Sequence, residues 1–94
     1  MKINFEFLKK YKHRVVGVNL CVLEQPIPVI YRGKKLDIKD KFALVVAFKE
    51  NLVLLRFPGW KGGHNGLQSS FIFEPQTSHW WANYADIQPV PVRL

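Results

Sequence analysis

The stretch that decides the fold runs Phe57-Pro58-Gly59-Trp60-Lys61-Gly62-Gly63-His64-Asn65-Gly66 and, after a polar span, His79-Trp80-Trp81-Ala82-Asn83-Tyr84-Ala85-Asp86-Ile87-Gln88-Pro89-Val90. Pro58-Gly59 closes an apolar run, and Gly62-Gly63 and Asn65-Gly66 are two consecutive turn signals. His79-Trp80-Trp81 reads as a short strand, and Ala85-Asp86-Ile87 suits a single helical turn. Pro89-Val90-Pro91-Val92 favours extended, polyproline-like backbone. All three tryptophans of the chain lie here.

Upstream, residues 42–48 and 52–57 are apolar strands separated by Lys49-Glu50-Asn51, a short hairpin loop in which Asn51 can adopt the left-handed conformation. Residues 36–41 read as a charged connecting loop. Arg32-Gly33-Lys34-Lys35 is a turn signal, and residues 29–31 fit a short edge strand. Glu24-Gln25-Pro26-Ile27-Pro28 is expected to break the preceding strand, because proline donates nothing to a ladder. That strand, residues 15–23, is dense in β-branched residues and apolar on both faces, as a central strand is. Residues 3–14 stay open between two readings: Ile3, Phe5 and Phe7 alternate as in a strand, while Ile3, Phe7 and Tyr11 share a helical stripe. Residues 71–73 add one further strand. Five or six short antiparallel strands in one small domain predict a mainly β chain folded as a strongly bent barrel, with or without a short N-terminal helix.

Ninety-four residues are one domain with a modest core. A 48% hydrophobic content and 13 aromatic residues argue against disorder. No apolar run reaches the ~18–20 residues of a membrane helix, and Lys2-Ile3-Asn4-Phe5-Glu6-Phe7 is too short and too acidic for a signal peptide. The single Cys21 cannot make an internal disulfide and suits a reducing compartment, so a cytoplasmic location is expected. The net charge of +7 is uneven: residues 1–41 hold ten Lys/Arg against four Asp/Glu, and residues 42–94 hold four against three. Aromatics run the other way. Basic and aromatic surfaces together are the ingredients of single-strand nucleic-acid binding; the competing reading is a lysine-rich surface that keeps the domain soluble.

The second half resembles SH3-like small barrels, in which a central hairpin is followed by a loop, an aromatic strand, a short 3₁₀ turn and a final extended strand. Residues 36–57, then Trp80-Trp81, then Asp86-Ile87-Gln88-Pro89-Val90 follow that order. Gly59-Trp60, Gly63-His64-Asn65-Gly66, Trp80-Trp81 and Asp86-Ile87-Gln88-Pro89-Val90 together resemble small proteins of phages and mobile elements. The resemblance covers about a third of the chain and leaves the first 35 residues unmatched. It implies a protein that binds a host factor, such as a defence nuclease complex, although the fold alone supports many roles.

No residue pattern specifies catalysis. Cys21 lies in an apolar strand without a base or an electropositive neighbourhood, as a structural thiol does. His13, His64 and His79 are lone and widely separated, unlike paired zinc ligands. Ser69 and Ser70 lack the flanking glycines of a nucleophile elbow, and Gly59-Trp60-Lys61-Gly62-Gly63 lacks the Lys-Ser/Thr ending of a phosphate loop. The acids Glu50, Glu74 and Asp86 have no spacing that pairs them for proton transfer. No catalytic residue, metal site or cofactor is expected.

Two candidate surfaces remain. The first is an aromatic patch of Trp60, Trp80, Trp81 and Tyr84. Trp80 and Trp81 must point to opposite faces of their strand, so at most one is central to the core, and an exposed tryptophan makes a binding hot spot. The second is a basic face of Lys9, Lys10, Lys12, Arg14, Arg32, Lys34 and Lys35, with Lys61, His64 and Asn65 in an exposed loop. These point to a non-enzymatic protein that binds a host protein or nucleoprotein, with charge steering the encounter. One alternative is direct binding of single-stranded DNA or RNA; another is self-association through an exposed edge at residues 29–31.

Overall fold

A computed structural model describes residues 2–34, 37–60 and 78–90. It is mainly β, as the sequence predicts: a short helix, α1 (Phe5–Lys9), precedes six strands. These are β1 (His13–Gly17), β2 (Leu20–Tyr31), β3 (Lys41–Phe48), β4 (Leu52–Arg56), β5 (His79–Asn83) and β6 (Ile87–Pro89). A 3₁₀ turn, Tyr84–Asp86, links β5 to β6. The strands make one antiparallel sheet in the order β1-β2-β3-β4-β5, with β6 added to β2.

The sheet is open, so the mainly β class is as expected and the barrel itself is not shown. After β5 the chain enters a three-residue turn that redirects it to β2 instead of folding it back along β5. The order of hairpin, aromatic strand, 3₁₀ turn and final strand from β3 onward is the expected one. The strand predicted at residues 71–73 and the Gly-rich turns after Trp60 lie outside the described residues.

The N-terminal ambiguity resolves as helix, then strand. Asn4 caps α1, its Oδ1 accepting from the Phe7 N–H at 2.9 Å, and Leu8 is buried. The long strand expected at residues 15–23 is instead a hairpin. Asn19 takes the left-handed backbone (φ 57) in the two-residue turn that splits β1 from β2. Among the described residues the other non-glycine at positive φ is Asp40; Asn51 does not use the left-handed conformation open to it.

The expected break at residues 24–28 also fails, because β2 continues to Tyr31. Its register against β3 slips between Val22 and Ile27, and this bulge takes Pro26 out of the ladder. On its outer side β2 is covered by β1 up to Leu23 and by β6 from Val29, leaving a gap where Pro26 and Pro28 sit. Residues 29–31 therefore run between β3 and β6 and are not an edge. Self-association through that edge has no strand to use.

Strand alternation sends side chains to two faces. The main core gathers Leu23, Val29, Val45, Phe48, Val53, Leu55 and Ile87 beneath Ile3 and Leu8 of the N-terminal segment. The opposite face carries a smaller cluster of Val22, Val46, Ala47 and Leu54. Among the described residues no helix is long and apolar enough to cross a membrane.

Candidate functional site

The four aromatic candidates do not form one patch. Trp60 and Trp80 meet edge to face, ring centres 6.3 Å apart, and Phe57 and Tyr31 extend the same row into the main core. Trp81 lies on the opposite face against Val22, Ala47 and Leu54, with the Lys49 ammonium 4.7 Å from its ring centre. The opposed directions of Trp80 and Trp81 are as strand alternation predicts. Both are half-buried, so neither stands out as a free stacking platform.

Tyr84 is tied down. Its hydroxyl donates to the Lys49 carbonyl, joining the 3₁₀ turn to the β3–β4 loop. Burial, helped by Cys21, pushes its pKa up to about 12. An unfolded tyrosine ionises near pH 10, so between these values the unfolded chain gives up the proton first. Stability from this group is intact below pH 10 and falls as pH rises toward 12. Tyr84→Phe is expected to flatten that part of a melting-temperature profile. It should also cost about 0.5–1.5 kcal/mol at neutral pH through the lost hydrogen bond.

The basic candidates separate into two groups at opposite ends of β2. Arg32 and Lys34 follow its C-terminal end, where Arg32 pairs with Asp40 at 3.7 Å in solvent. An exposed pair like this contributes little. Lys9, Lys10, Lys12 and Arg14 lie at the other end, on α1, β1 and the link between them, and all four are exposed. Lys9 covers the Phe5 ring at 5.1 Å. Lys35, Lys61, His64 and Asn65 lie outside the described residues.

The N-terminal basic group borders a feature that charge alone does not reveal. β1 is the last strand on its side of the sheet. The Lys12 carbonyl accepts from the Glu24 N–H at 3.1 Å, and the ladder continues as His13–Leu23, Arg14–Val22 and Val15–Cys21. Bonded and non-bonded pairs alternate in an antiparallel ladder. Lys12–Glu24 being bonded, Arg14–Val22 is the next bonded pair, and His13 and Val15 direct their N–H and C=O groups away from β2. Val15 is 65% exposed and Val18, at the hairpin tip, 90%. The His13 ring holds the strand in place, packing edge-on against Phe48 at 5.4 Å with Nδ1 2.7 Å from the Tyr11 carbonyl.

The catalytic alternatives gain no geometry. Burial raises the Cys21 pKa, with Lys9 acting weakly against it, which is opposite to what an activated thiolate needs. Among the described residues no three His, Cys, Asp or Glu side chains gather to hold a metal. His13 lies on β1 and buried His79 on β5, four strands away.

Sequence reasoning missed Val15, Val18 and exposed Tyr11. The overlooked signal was Gly17-Val18-Asn19, a turn sequence inside an apolar run. Comparison with protein-family models, curated proteins and solved structures finds no match.

Proposed function

We propose that this is a non-enzymatic binding protein that captures an extended, acidic segment of a partner protein or nucleoprotein as an added strand on β1. The observation that carries the reading is the outward backbone of His13 and Val15 set among Lys9, Lys10, Lys12 and Arg14. Main-chain hydrogen bonds to an exposed edge give affinity in this mode of recognition, and side chains beside it give specificity. Val15 and Val18 offer apolar contact, and the four cations steer acidic chains to the edge. The resemblance of the C-terminal pattern to small phage proteins supports a host factor in the cytoplasm as the partner.

The test uses an alternating Glu/Val peptide of about ten residues, long enough for one strand, titrated into isotopically labelled protein. Expected are shifts and slowed hydrogen exchange at the His13 and Val15 amides, with an alternating Lys/Val peptide inert. Val15→Pro removes an outward N–H and no bond to β2, so it should abolish these effects with the melting temperature little changed. Lys9→Glu with Lys12→Glu should slow association about 10-fold or more at low salt. Unchanged His13 and Val15 amides in the presence of the acidic peptide would end the reading.

One observation favours a second reading, single-stranded nucleic acid. Tyr11 is 42% exposed between Lys10 and Lys12, its ring tilted against Phe7 with centres 5.2 Å apart. A base stacked on Tyr11 would give oligothymidylate binding that falls steeply with salt and is lost in Tyr11→Ala.

A further inference from the structure

A cavity of about 720 Å³ opens where the N-terminal segment meets the 3₁₀ turn and β6, on none of the residues of the β1 edge. This is the volume of a small-molecule site. Its apolar lining comes from half-buried Tyr84, Pro89 and Val90, beside Ile3 and Ile87, which are almost fully buried. Its polar rim is biased toward donors. Lys2 supplies an ammonium group, and Asn4 and Asn83 supply amides. Each of these amides already uses its oxygen within the chain: Asn4 Oδ1 accepts from the Phe7 N–H and Asn83 Oδ1 from the Ala85 N–H, at 2.9 and 3.0 Å. Each oxygen is thus half used, whereas each NH₂ group brings two donors. Gln88 adds a third amide to the rim. No carboxylate lines the cavity among the described residues.

We infer that this cavity binds a small carboxylic acid with an apolar body. Its carboxylate would accept from the Asn4 and Asn83 amides and pair with Lys2. Its hydrocarbon would lie against Tyr84, Pro89 and Val90. A carboxylate is acceptor-only, with two oxygens to share among several donors, and bonds to an ionised acceptor are the stronger kind. An alcohol of the same body lacks that charge, and an alkylammonium would meet Lys2 with like charge.

The experiment titrates octanoate, octanol and octylammonium into isotopically labelled full-length protein. Octanoate is expected to shift the Asn4 and Asn83 side-chain NH₂ signals and the Ala85 and Ile87 backbone amides, with octanol and octylammonium much weaker. The deciding variant is Asn4→Asp with Asn83→Asp. Aspartate caps as well as asparagine, so the fold is retained while both NH₂ donors become anions. Octanoate affinity, read at Ala85 and Ile87, should fall about 10- to 100-fold, the loss expected for charge-assisted hydrogen bonds. Lys2→Gln should weaken it several-fold with the melting temperature unchanged. Three results would overturn the inference: equal binding of octanol, unchanged octanoate affinity in the double variant, or no shift up to about 10 mM octanoate.

Discussion

Phe48→Ala is expected to remove about 3–5 kcal/mol of unfolding free energy, the range for emptying a fully buried aromatic site. Phe48 ends β3 with no exposed surface. The Phe5 ring of α1 meets it edge-on at 5.6 Å and the His13 ring of β1 does so at 5.4 Å. One side chain thus holds the helix, the edge strand and the central hairpin in register. In a domain with a total stability of about 5–15 kcal/mol the loss is severe. It should appear as a lower urea midpoint with an unchanged denaturant slope, the sign of lost stability without a changed unfolded state. The variant should also speed hydrogen exchange at Tyr11 and Arg14, whose N–H groups are bonded, before the rest of the sheet, because α1 and β1 lose their common support. A loss below about 0.5 kcal/mol, the cost of an ordinary surface change, would mean that this corner is held by other contacts. The prediction bears on function as well, since the N-terminal basic cluster rides on these two elements.

The features that local pattern carries were legible in the chain. The β3–β4 hairpin follows from two apolar runs and a three-residue loop, and the opposed directions of Trp80 and Trp81 follow from strand periodicity. What depends on distant pairing was not legible. Residues 29–31 look like an edge because proline precedes them and a turn follows; they are interior because β6, far along the chain, pairs with them. Pro26 and Pro28 look like a strand break, but a register slip opposite β3 accommodates the first, and the gap between β1 and β6 faces both. The candidate site divides in the same way. Lys9, Lys10, Lys12 and Arg14 were visible as charge, whereas the outward groups of His13 and Val15 follow only from which pair in the ladder is bonded. The aromatic residues were visible too, but no local rule says that Trp60 joins Trp80 and not Trp81.

Gly33→Ala is the second large effect, and the reason lies in a side chain, not in the glycine backbone. The sequence marks Gly33 as part of a turn, which suggests a left-handed residue. Among the described glycines that conformation belongs to Gly59, at φ 81, and not to Gly33. Gly33 instead lies against the Tyr31 ring: an added Cβ would overlap the phenol oxygen and Cζ and sit 2.7 Å from Cε1. Tyr31 has no room to retreat. It is buried, its ring meets Phe57 edge-on at 5.7 Å, and its hydroxyl oxygen accepts from the Trp80 indole N–H, while burial and then Asp86 raise its pKa. Displacing it pushes on the row that continues through Phe57 and Trp60 to Trp80. The expected cost is about 1–3 kcal/mol, the usual penalty for overfilling a packed site, with a changed tryptophan emission spectrum because two of the three indoles move. Tyr31→Phe removes the atom nearest the new methyl at the expense of one hydrogen bond. Combined with Gly33→Ala, it should destabilise less than the two single losses added together, a coupling that residues in contact show and distant ones do not. Strictly additive losses would place the need for glycine in the backbone of the turn and release Tyr31 from the argument.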